Sequence, residues 1–191
     1  MSAPTGGDGI ERNPWIRHRR EVAYANPWIE VWHDEVTRPD GKAGVYGVVH
    51  PRTHAVGVVP IDDAGRVLLV GQYRYTLDRY SWEIPEGGVP PEEDPLEGAR
   101  RELAEETGYT AASWRQILRF SLSNSVTDET GTLFLAENLT PGVADPDETE
   151  ELAVRWVAFD ECLAMALRGE LFDSITQLGL FRLALDRDRK I

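Results

Sequence analysis

The stretch from Gly87 to Tyr109 constrains the fold more than any other part of the chain, because it marks both ends of one helix. Asp94 is a good N-cap residue, and Pro95 suits the first helical turn. Gly108 supplies a residue that readily adopts a left-handed conformation just past a helix end. The pattern predicts a helix from about residue 95 to residue 107.

Three glutamates in this helix, Glu102, Glu105 and Glu106, stand at positions i, i+3 and i+4, so their carboxylates project to one side. Each like-charged pair at i,i+4 spacing destabilises a helix by roughly 0.2–0.5 kcal/mol. A divalent cation removes that repulsion and takes the hard oxygen ligands that Mg²⁺ prefers. Most Glu-rich helix faces are simply solvated, so the glutamates alone leave both interpretations open. Arg101, four residues before Glu105, is placed to steady the group from its flank.

The composition fits a globular enzyme with one domain and a short N-terminal extension. Hydrophobic residues make up 41% of the 191 positions and charged residues 28%, which is ordinary for this class. The net charge of −13 argues against nucleic acid as a partner, because such surfaces carry a basic stripe. The sequence shows no apolar run of ~20 residues and no signal-peptide pattern, so no membrane partner is expected. The single cysteine, Cys162, suits a cytoplasmic location and is expected to be a packing residue.

The rest of the chain predicts an α+β fold with a mixed sheet and few helices. Residues 1–14 are small and polar and are predicted to be disordered or loosely held. Two runs, Ala55–Ile61 and Val67–Tyr73, flank an Asp-Asp-Ala-Gly turn and are predicted to form a hairpin. The other predicted elements are strands at Val22–Ala25, Ile29–His33, Val45–His50, Trp114–Phe120, Thr132–Ala136 and Leu152–Val157, and helices at Asp160–Leu167 and Ser174–Leu185.

The stretch Gly87–Tyr109 resembles the signature of the Nudix hydrolases: Gly, five residues, Glu, seven residues, then Arg-Glu-hydrophobic-X-Glu-Glu-X-Gly. The fixed positions around the three glutamates, which the resemblance implies are structural, are filled by Gly87, Glu93, Arg101 and Gly108. The resemblance implies an α/β/α sandwich with a mixed sheet and an N-terminal β-strand extension. It also implies that the three helix glutamates bind Mg²⁺, for which Mn²⁺ is an expected substitute.

Beyond this signature, the chain is similar to the branch of ADP-ribose and nucleoside diphosphate sugar pyrophosphatases. Gln72–Arg74 and Trp82–Gly87 resemble the QYR and WELPAG segments of that branch. In those enzymes the backbone carbonyl before the glycine ligates a metal, which carries over to Glu86, where Glu replaces Ala. Arg74 is a candidate diphosphate clamp, because its fork matches phosphate oxygens, or alternatively a surface ion pair. Glu83 is expected to be a further substrate contact.

The same branch has a second acidic loop that supplies a glutamate near the metals. The resemblance assigns the general base to Glu148 or Glu150, with Glu105 and Glu106 as further catalytic carboxylates. One segment departs from the branch: Ser123–Glu129 keeps the Asp-Glu pair of SPGFSDE but lacks its proline. We therefore expect a substrate preference broader than ADP-ribose, including GDP-mannose.

Residues 15–50 are expected to form N-terminal strands and a dimerisation element, and residues 51–191 the Nudix hydrolase domain. Related enzymes build the base pocket at a dimer interface from such strands, which implies a homodimer. Trp28 and Trp32 are candidate base or dimer contacts, since an exposed Trp face stacks on a nucleobase. Most tryptophans, however, serve packing.

The resemblance implies Mg²⁺-dependent hydrolysis of the diphosphate in a nucleoside diphosphate sugar, giving a nucleoside monophosphate and a sugar phosphate. Two alternatives remain open. One is a sensor on the same fold that binds a nucleotide or ADP-ribose without hydrolysis. The other is a hydrolase of another nucleoside diphosphate derivative.

Overall fold

The computed structural model describes residues 12–145 and 151–189. Within these ranges the chain forms ten strands, three α-helices and a 3₁₀ turn at Tyr75–Leu77. The strands are β1 Ile16–Ala25, β2 Ile29–Thr37, β3 Ala43–Pro51, β4 His54–Pro60, β5 Arg66–Arg74, β6 Arg79–Glu83, β7 Glu86–Val89, β8 Tyr109–Ser121, β9 Thr130–Pro141 and β10 Ala153–Ala158. The helices are α1 Pro95–Thr107, α2 Phe159–Leu167 and α3 Ser174–Arg189. No helix in the described ranges is long and apolar enough to cross a membrane.

The central sheet has the strand order β7-β4-β9-β8 and contains one parallel pair, β4 with β9. Strand β4 is buried on both faces and therefore reads as a continuous apolar run. Val56 and Val58 join Ala99 and Leu103 of α1 in one cluster. Val59 belongs to a second cluster on the opposite face. The alternation of side chains along β4 thus divides the core into two layers.

Helix α3 and the second sheet, β10-β5-β6, contribute to the other layer. Two glycines allow α3 to approach β4 closely. A Cβ on Gly57 would lie 2.7 Å from Ile175, and one on Gly179 would lie 2.8 Å from Val59. Cys162 is buried in the same layer, as expected of a packing residue, and burial raises its pKa to about 11. Helices on both faces of a mixed sheet are the arrangement that the sequence predicted.

A third sheet, β1-β2-β3, is antiparallel and contains the N-terminal strands, which extend further than predicted. Strand β1 is exposed along its whole length. Strand β3 contacts the rest of the chain where the N–H of Val49 donates to the carbonyl of Val126 at 2.8 Å.

The predicted hairpin is wrong. Strands β4 and β5 belong to different sheets, and only Ile61 and Val67 form an isolated bridge between them. The turn itself is present, because Oδ1 of Asp62 accepts hydrogen bonds from the N–H groups of Ala64 and Arg66. Turn chemistry is local, whereas each strand finds its partners further along the chain. Strand β4 pairs with β7 and β9, and strand β5 pairs with β6 and β10. The short strands β6 and β7 were not predicted.

Candidate active site

Helix α1 presents its glutamates in a fixed direction because both of its ends are held as predicted. Oδ1 of Asp94 accepts a hydrogen bond from the N–H of Leu96 at 2.8 Å, and Pro95 occupies the first turn. At the other end Gly108 has φ of 75°, and its N–H donates to the carbonyl of Ala104. The apolar residues of α1 pack on the central sheet, so its acidic side faces away from that layer.

Two of the glutamates meet the backbone of β7. A Cβ on Gly87 would lie 2.2 Å from the carboxyl carbon of Glu102, so only glycine leaves room for that carboxylate. Glu106 is 4% exposed, and its Oε2 accepts a hydrogen bond from the N–H of Glu86 at 3.2 Å. Both carboxylates therefore lie against the Glu86–Gly87 backbone, the same backbone from which the sequence predicted a carbonyl ligand.

Arg101 links the glutamates of the signature to one another. Its Nη1 lies 2.9 Å from carboxylate oxygens of Glu102 and Glu105, and its Nη2 lies 3.6 Å from Glu93. Nη2 also donates to the carbonyl of Gly88 at 3.4 Å. Burial opposes the charge of Arg101, but Glu102 and Glu105 outweigh that effect and raise its pKa. Arg101 thus contacts the glutamates from their flank, where the sequence placed it.

Arg74 lies at the end of β5 and forms ion pairs with two carboxylates, those of Glu83 and Glu86. Its Nε donates to the oxygens of Glu83 at 2.9 and 3.1 Å. Its Nη2 donates to Glu83 and, at 2.5 Å, to Oε1 of Glu86. Among the residues that the structure describes, Nη1 has no partner. The ion pair that the sequence left as an alternative is therefore formed, but it involves the nearly buried Glu83 rather than a surface group.

Asp173, just before α3, adds a third carboxylate to this group, and the sequence analysis missed it. An oxygen from each of Glu83, Glu86 and Asp173 lies within 4.8 Å of the others. Asp173 also accepts a hydrogen bond from the N–H of Thr176 at 2.7 Å, as an N-cap does. An Asp at the start of a predicted helix was the available signal for this cap, but its proximity to Arg74 is a tertiary effect.

Two carboxylates of this acidic group, Glu86 and Asp173, have raised pKa values. Burial raises the pKa of Glu86, Asp173 raises it further, and the Arg74 guanidinium opposes both effects. Burial likewise raises the pKa of Asp173. Oε2 of Glu86 is buried and has no hydrogen-bond partner in the described part of the chain.

A cleft of about 190 Å³ connects these elements. It is lined by Thr53, Ala55, Arg74, Glu86, Gly87, Gly88 and Glu129. Glu129 belongs to the Asp-Glu pair noted in the sequence, where it received no role. Burial raises the pKa of Glu129. Its neighbour Asp128 accepts a hydrogen bond from His50 of β3 at 2.8 Å, which ties this wall of the cleft to the N-terminal sheet.

The two candidate stacking residues differ in what they can contact. Trp28 is 73% exposed and has a face available to a ligand. Trp32 does not: the guanidinium of Arg20 lies 3.7 Å from its ring centroid, and the ring of His50 stacks on it at 4.0 Å. Arg20 and His50 thus contact the ring of Trp32 within the N-terminal sheet, which leaves less of the ring accessible to a base or a partner than in Trp28.

Glu148 and Glu150, the candidates for the general base, lie outside the described residues. Asp145, the last described residue before that segment, lies beside α1, because its N–H donates to the carbonyl of Glu105 at 2.9 Å.

The donor set of the signature fits a hard divalent cation. The Glu102 carboxylate fills the space that any Cβ at Gly87 would take, and the buried Glu106 lies at the same stretch of backbone. Carboxylate and carbonyl oxygens are the ligands that Mg²⁺ uses. The neighbouring group of Glu83, Glu86 and Asp173 fits a metal less well, because Arg74 already supplies it with a cation.

Residues 51–176 match the profile of the NUDIX domain, and residues 15–49 match that of the nucleoside diphosphate sugar hydrolase N-terminal domain. The ADP-ribose pyrophosphatase of Bacillus subtilis is 34% identical over 169 residues, covering 87% of this chain and 90% of that protein.

Two further proteins are similar over most of the chain. The CMP-5'-(N-acetyl-N-hydroxy-3-aminopropyl)phosphonate hydrolase of Streptomyces rubellomurinus is 29% identical over 168 residues, covering 87% of this chain and 80% of that protein. The crystal structure of an ADP compounds hydrolase matches with a TM-score of 0.84 at 20% identity, covering 95% of this chain and 98% of that one. This structural likeness confirms the predicted fold class.

Proposed function

The chain belongs to the Nudix hydrolase family, and on that premise we propose that it hydrolyses the diphosphate linkage of a nucleoside diphosphate sugar of the ADP-ribose or GDP-mannose type. The products are a nucleoside monophosphate and a sugar phosphate. One observation carries the proposal: Glu102 and Glu106 converge on the Glu86–Gly87 backbone, which shares a cleft with Arg74. Phosphoryl transfer needs positioned charges more than covalent help, and this set of groups supplies them.

The proposed metal ligands are Glu102, Glu106 and the backbone carbonyl of Glu86, with Glu105 as a ligand or as a support for the other two. Bound Mg²⁺, or Mn²⁺ in its place, supplies charge neutralisation at the diphosphate and acidifies water. The net charge of −13 makes local positive charge necessary, because the protein otherwise repels an anionic substrate.

The chain's own residues divide the remaining work. Arg101 holds the carboxylates of Glu102 and Glu105 in place. Arg74 offers its Nη1 group to a phosphate oxygen in the cleft. Glu148 or Glu150 takes the proton from the attacking water, a role that requires hydrogen-bond reach in the complex with substrate. The hydrogen bond from Asp145 to Glu105 supports this assignment, since the chain approaches the acidic segment beside α1.

Two observations bear on the substrate. The name of the Bacillus relative supports ADP-ribose, whereas the Streptomyces relative is named for a CMP-linked phosphonate. Proteins with similar identity to this chain are therefore named for different nucleotides. The segment Ser123–Glu129, which flanks the cleft through Glu129, lacks the proline of the ADP-ribose branch. Both points favour a sugar-nucleotide preference broader than ADP-ribose.

We also propose that the chain forms a homodimer through its N-terminal sheet and that Trp28 contacts the base or the partner subunit. Strand β1 is exposed throughout, and its apolar residues Val22 and Tyr24 are more than half exposed. An exposed strand with apolar side chains is a surface that another chain commonly covers.

The proposal is tested with a substrate panel and an assay for released nucleoside monophosphate. The panel contains ADP-ribose, GDP-mannose, other sugar nucleotides, diadenosine polyphosphates and nucleoside triphosphates, each with Mg²⁺. We expect rapid turnover of ADP-ribose or GDP-mannose that a chelator abolishes and added Mg²⁺ restores. Tight nucleotide binding without turnover anywhere in the panel would overturn the proposal in favour of a sensor.

A further inference from the structure

The hydrogen bonds of Arg74 within the described residues use Nε and Nη2, and they leave Nη1 for a ligand. A guanidinium has five N–H groups arranged as a planar fork. The Nε edge of Arg74 is directed at Glu83, and Nη2 pairs with both Glu83 and Oε1 of Glu86. Nη1 alone has no partner among the described residues. Arg74 and Glu86 both line the cleft that contains Gly87 and Gly88.

A phosphate is bound most firmly when two nitrogens of the fork donate to two of its oxygens. Glu83 already occupies the Nε side, so the Nη1–Nη2 edge is the one left for a phosphate. On that edge, Nη2 already donates to Oε1 of Glu86 at 2.5 Å, so only Nη1 is left to donate to a phosphate.

We propose that the Glu86 side chain is a positioning residue that restricts Arg74 to a single-nitrogen contact with the substrate's diphosphate. The inference rests on the proposed function, because its ligand is the diphosphate of that reaction. By occupying Nη2, Glu86 weakens the binding of both the substrate and the monophosphate product. Such a contact acts equally on the bound ground state and on the transition state, and it therefore appears in KM and in product inhibition rather than in kcat.

A purely structural role for this carboxylate explains the geometry less well. Glu83 alone fixes the orientation of Arg74 through Nε and Nη2. Oε2 of Glu86 is buried without a hydrogen bond to any residue that the structure describes, and burying such an atom costs stability. In the enzyme branch that the chain resembles, this position holds Ala, which has no carboxylate to bury.

The test compares two substitutions, Glu86→Ala and Glu86→Gln, at saturating Mg²⁺ with the best substrate of the panel. Alanine frees Nη2, so KM and the inhibition constant of the nucleoside monophosphate are expected to fall by about 5-fold. Glutamine keeps an oxygen that accepts from Nη2 but loses the negative charge, so its KM is expected to fall less than that of Glu86→Ala. If KM is unchanged or rises in Glu86→Ala while the variant melts like wild type, the proposal is wrong.

Two controls separate Arg74 from other causes. Glu97→Ala removes an exposed ion pair with Arg100 on the same helix as the signature glutamates and should leave KM unchanged. In an Arg74→Lys background the fork is absent, so adding Glu86→Ala should no longer lower KM. If wild type hydrolyses nothing in the panel, the proposed function fails; if wild type is active but Glu86→Ala does not tighten binding, only this inference fails.

Discussion

Gly87 is the residue on which the arrangement of the carboxylates depends most directly. A methyl group there would overlap the Glu102 carboxylate and push it from the β7 backbone. We expect Gly87→Ala to lower kcat/KM by about 100-fold or more, because a displacement of about 1 Å in an active site has that effect. Steady-state kinetics with Mg²⁺ measures the loss.

The matched control is Gly47→Ala in β3, where an added Cβ would meet nothing within 4 Å. That variant should retain wild-type kinetics. Equal activity of Gly87→Ala and Gly47→Ala would mean that the position of Glu102 does not matter for turnover.

Glu106 offers a second test at the level of single residues, because it is buried and accepts a hydrogen bond from the N–H of Glu86. Glu106→Gln keeps the shape of the side chain but removes the charge of a proposed metal ligand. We expect turnover to fall by roughly two to three orders of magnitude, with a change in unfolding free energy below about 1 kcal/mol. Glu97→Gln, on the exposed side of the same helix, should leave turnover intact. A fully active Glu106→Gln enzyme would contradict the proposed metal site.

His54 should make stability depend on pH. Burial lowers the pKa of His54 below its usual 6.5, with help from Arg119. The unfolded chain therefore takes up a proton more readily, and stability is lost as pH falls through about 6.5 towards the lowered value. Urea unfolding at about pH 8 and about pH 5 should show this loss, and His54→Gln should reduce it. An identical pH dependence in both proteins would exclude His54 as its source.

At the scale of elements, one hydroxyl joins α3 to Ile84, in the connection between β6 and β7. Oγ1 of Thr176 is fully buried and accepts the N–H of Ile84 at 2.9 Å. Thr176→Val leaves that N–H buried without a partner, so we expect a loss of about 1–3 kcal/mol in the free energy of unfolding. Thr176→Ser, which keeps the hydroxyl, should lose less. Denaturant titration compares the two, and a Val variant at least as stable as the Ser variant would contradict the assignment.

Elements whose signals are local could be predicted from the sequence. Helix α1 has its cap, its stop and its apolar stripe within a few residues of one another, and its bounds were confirmed. The hairpin prediction failed because β4 pairs with β7 and β9 instead of β5. Strand β7 was missed because Glu-Gly-Gly-Val has low strand propensity, and only its pairing with β4 makes it a strand.

In the candidate site, too, the residues with local sequence signals were predicted and those that depend on tertiary packing were not. The signature residues were found because their spacing is fixed within one helix and the turn before it. Asp173 was missed because it reaches Glu83 and Glu86 only after α3 packs on the central sheet. The covering of Trp32 by Arg20 and His50 likewise depends on the register of β1, β2 and β3, which the sequence did not specify.

At the scale of the whole molecule, the prediction concerns assembly. We expect the chain to run in solution at twice its mass of 21.4 kDa, as measured by light scattering after size-exclusion chromatography. Val22→Asp places a charge on the exposed strand β1 and should shift the mass towards the monomer, because burying an unpaired charge opposes association. Val143→Asp, at a position 92% exposed outside that sheet, should not. A wild-type monomer would contradict the proposed dimer.

The parallel pairing of β4 with β9 also joins two strands that are made at different times during synthesis. Strand β4, helix α1 and the glutamates emerge from the ribosome before β9. One edge of β4 therefore stays unpaired until β9 has been made. Pairings between segments so distant in sequence form slowly. A nascent chain that has not reached residue 130 therefore carries the glutamates of α1 beside an open, apolar strand edge. Unpaired strand edges promote aggregation, so the nascent chain carries this risk until β9 pairs with β4.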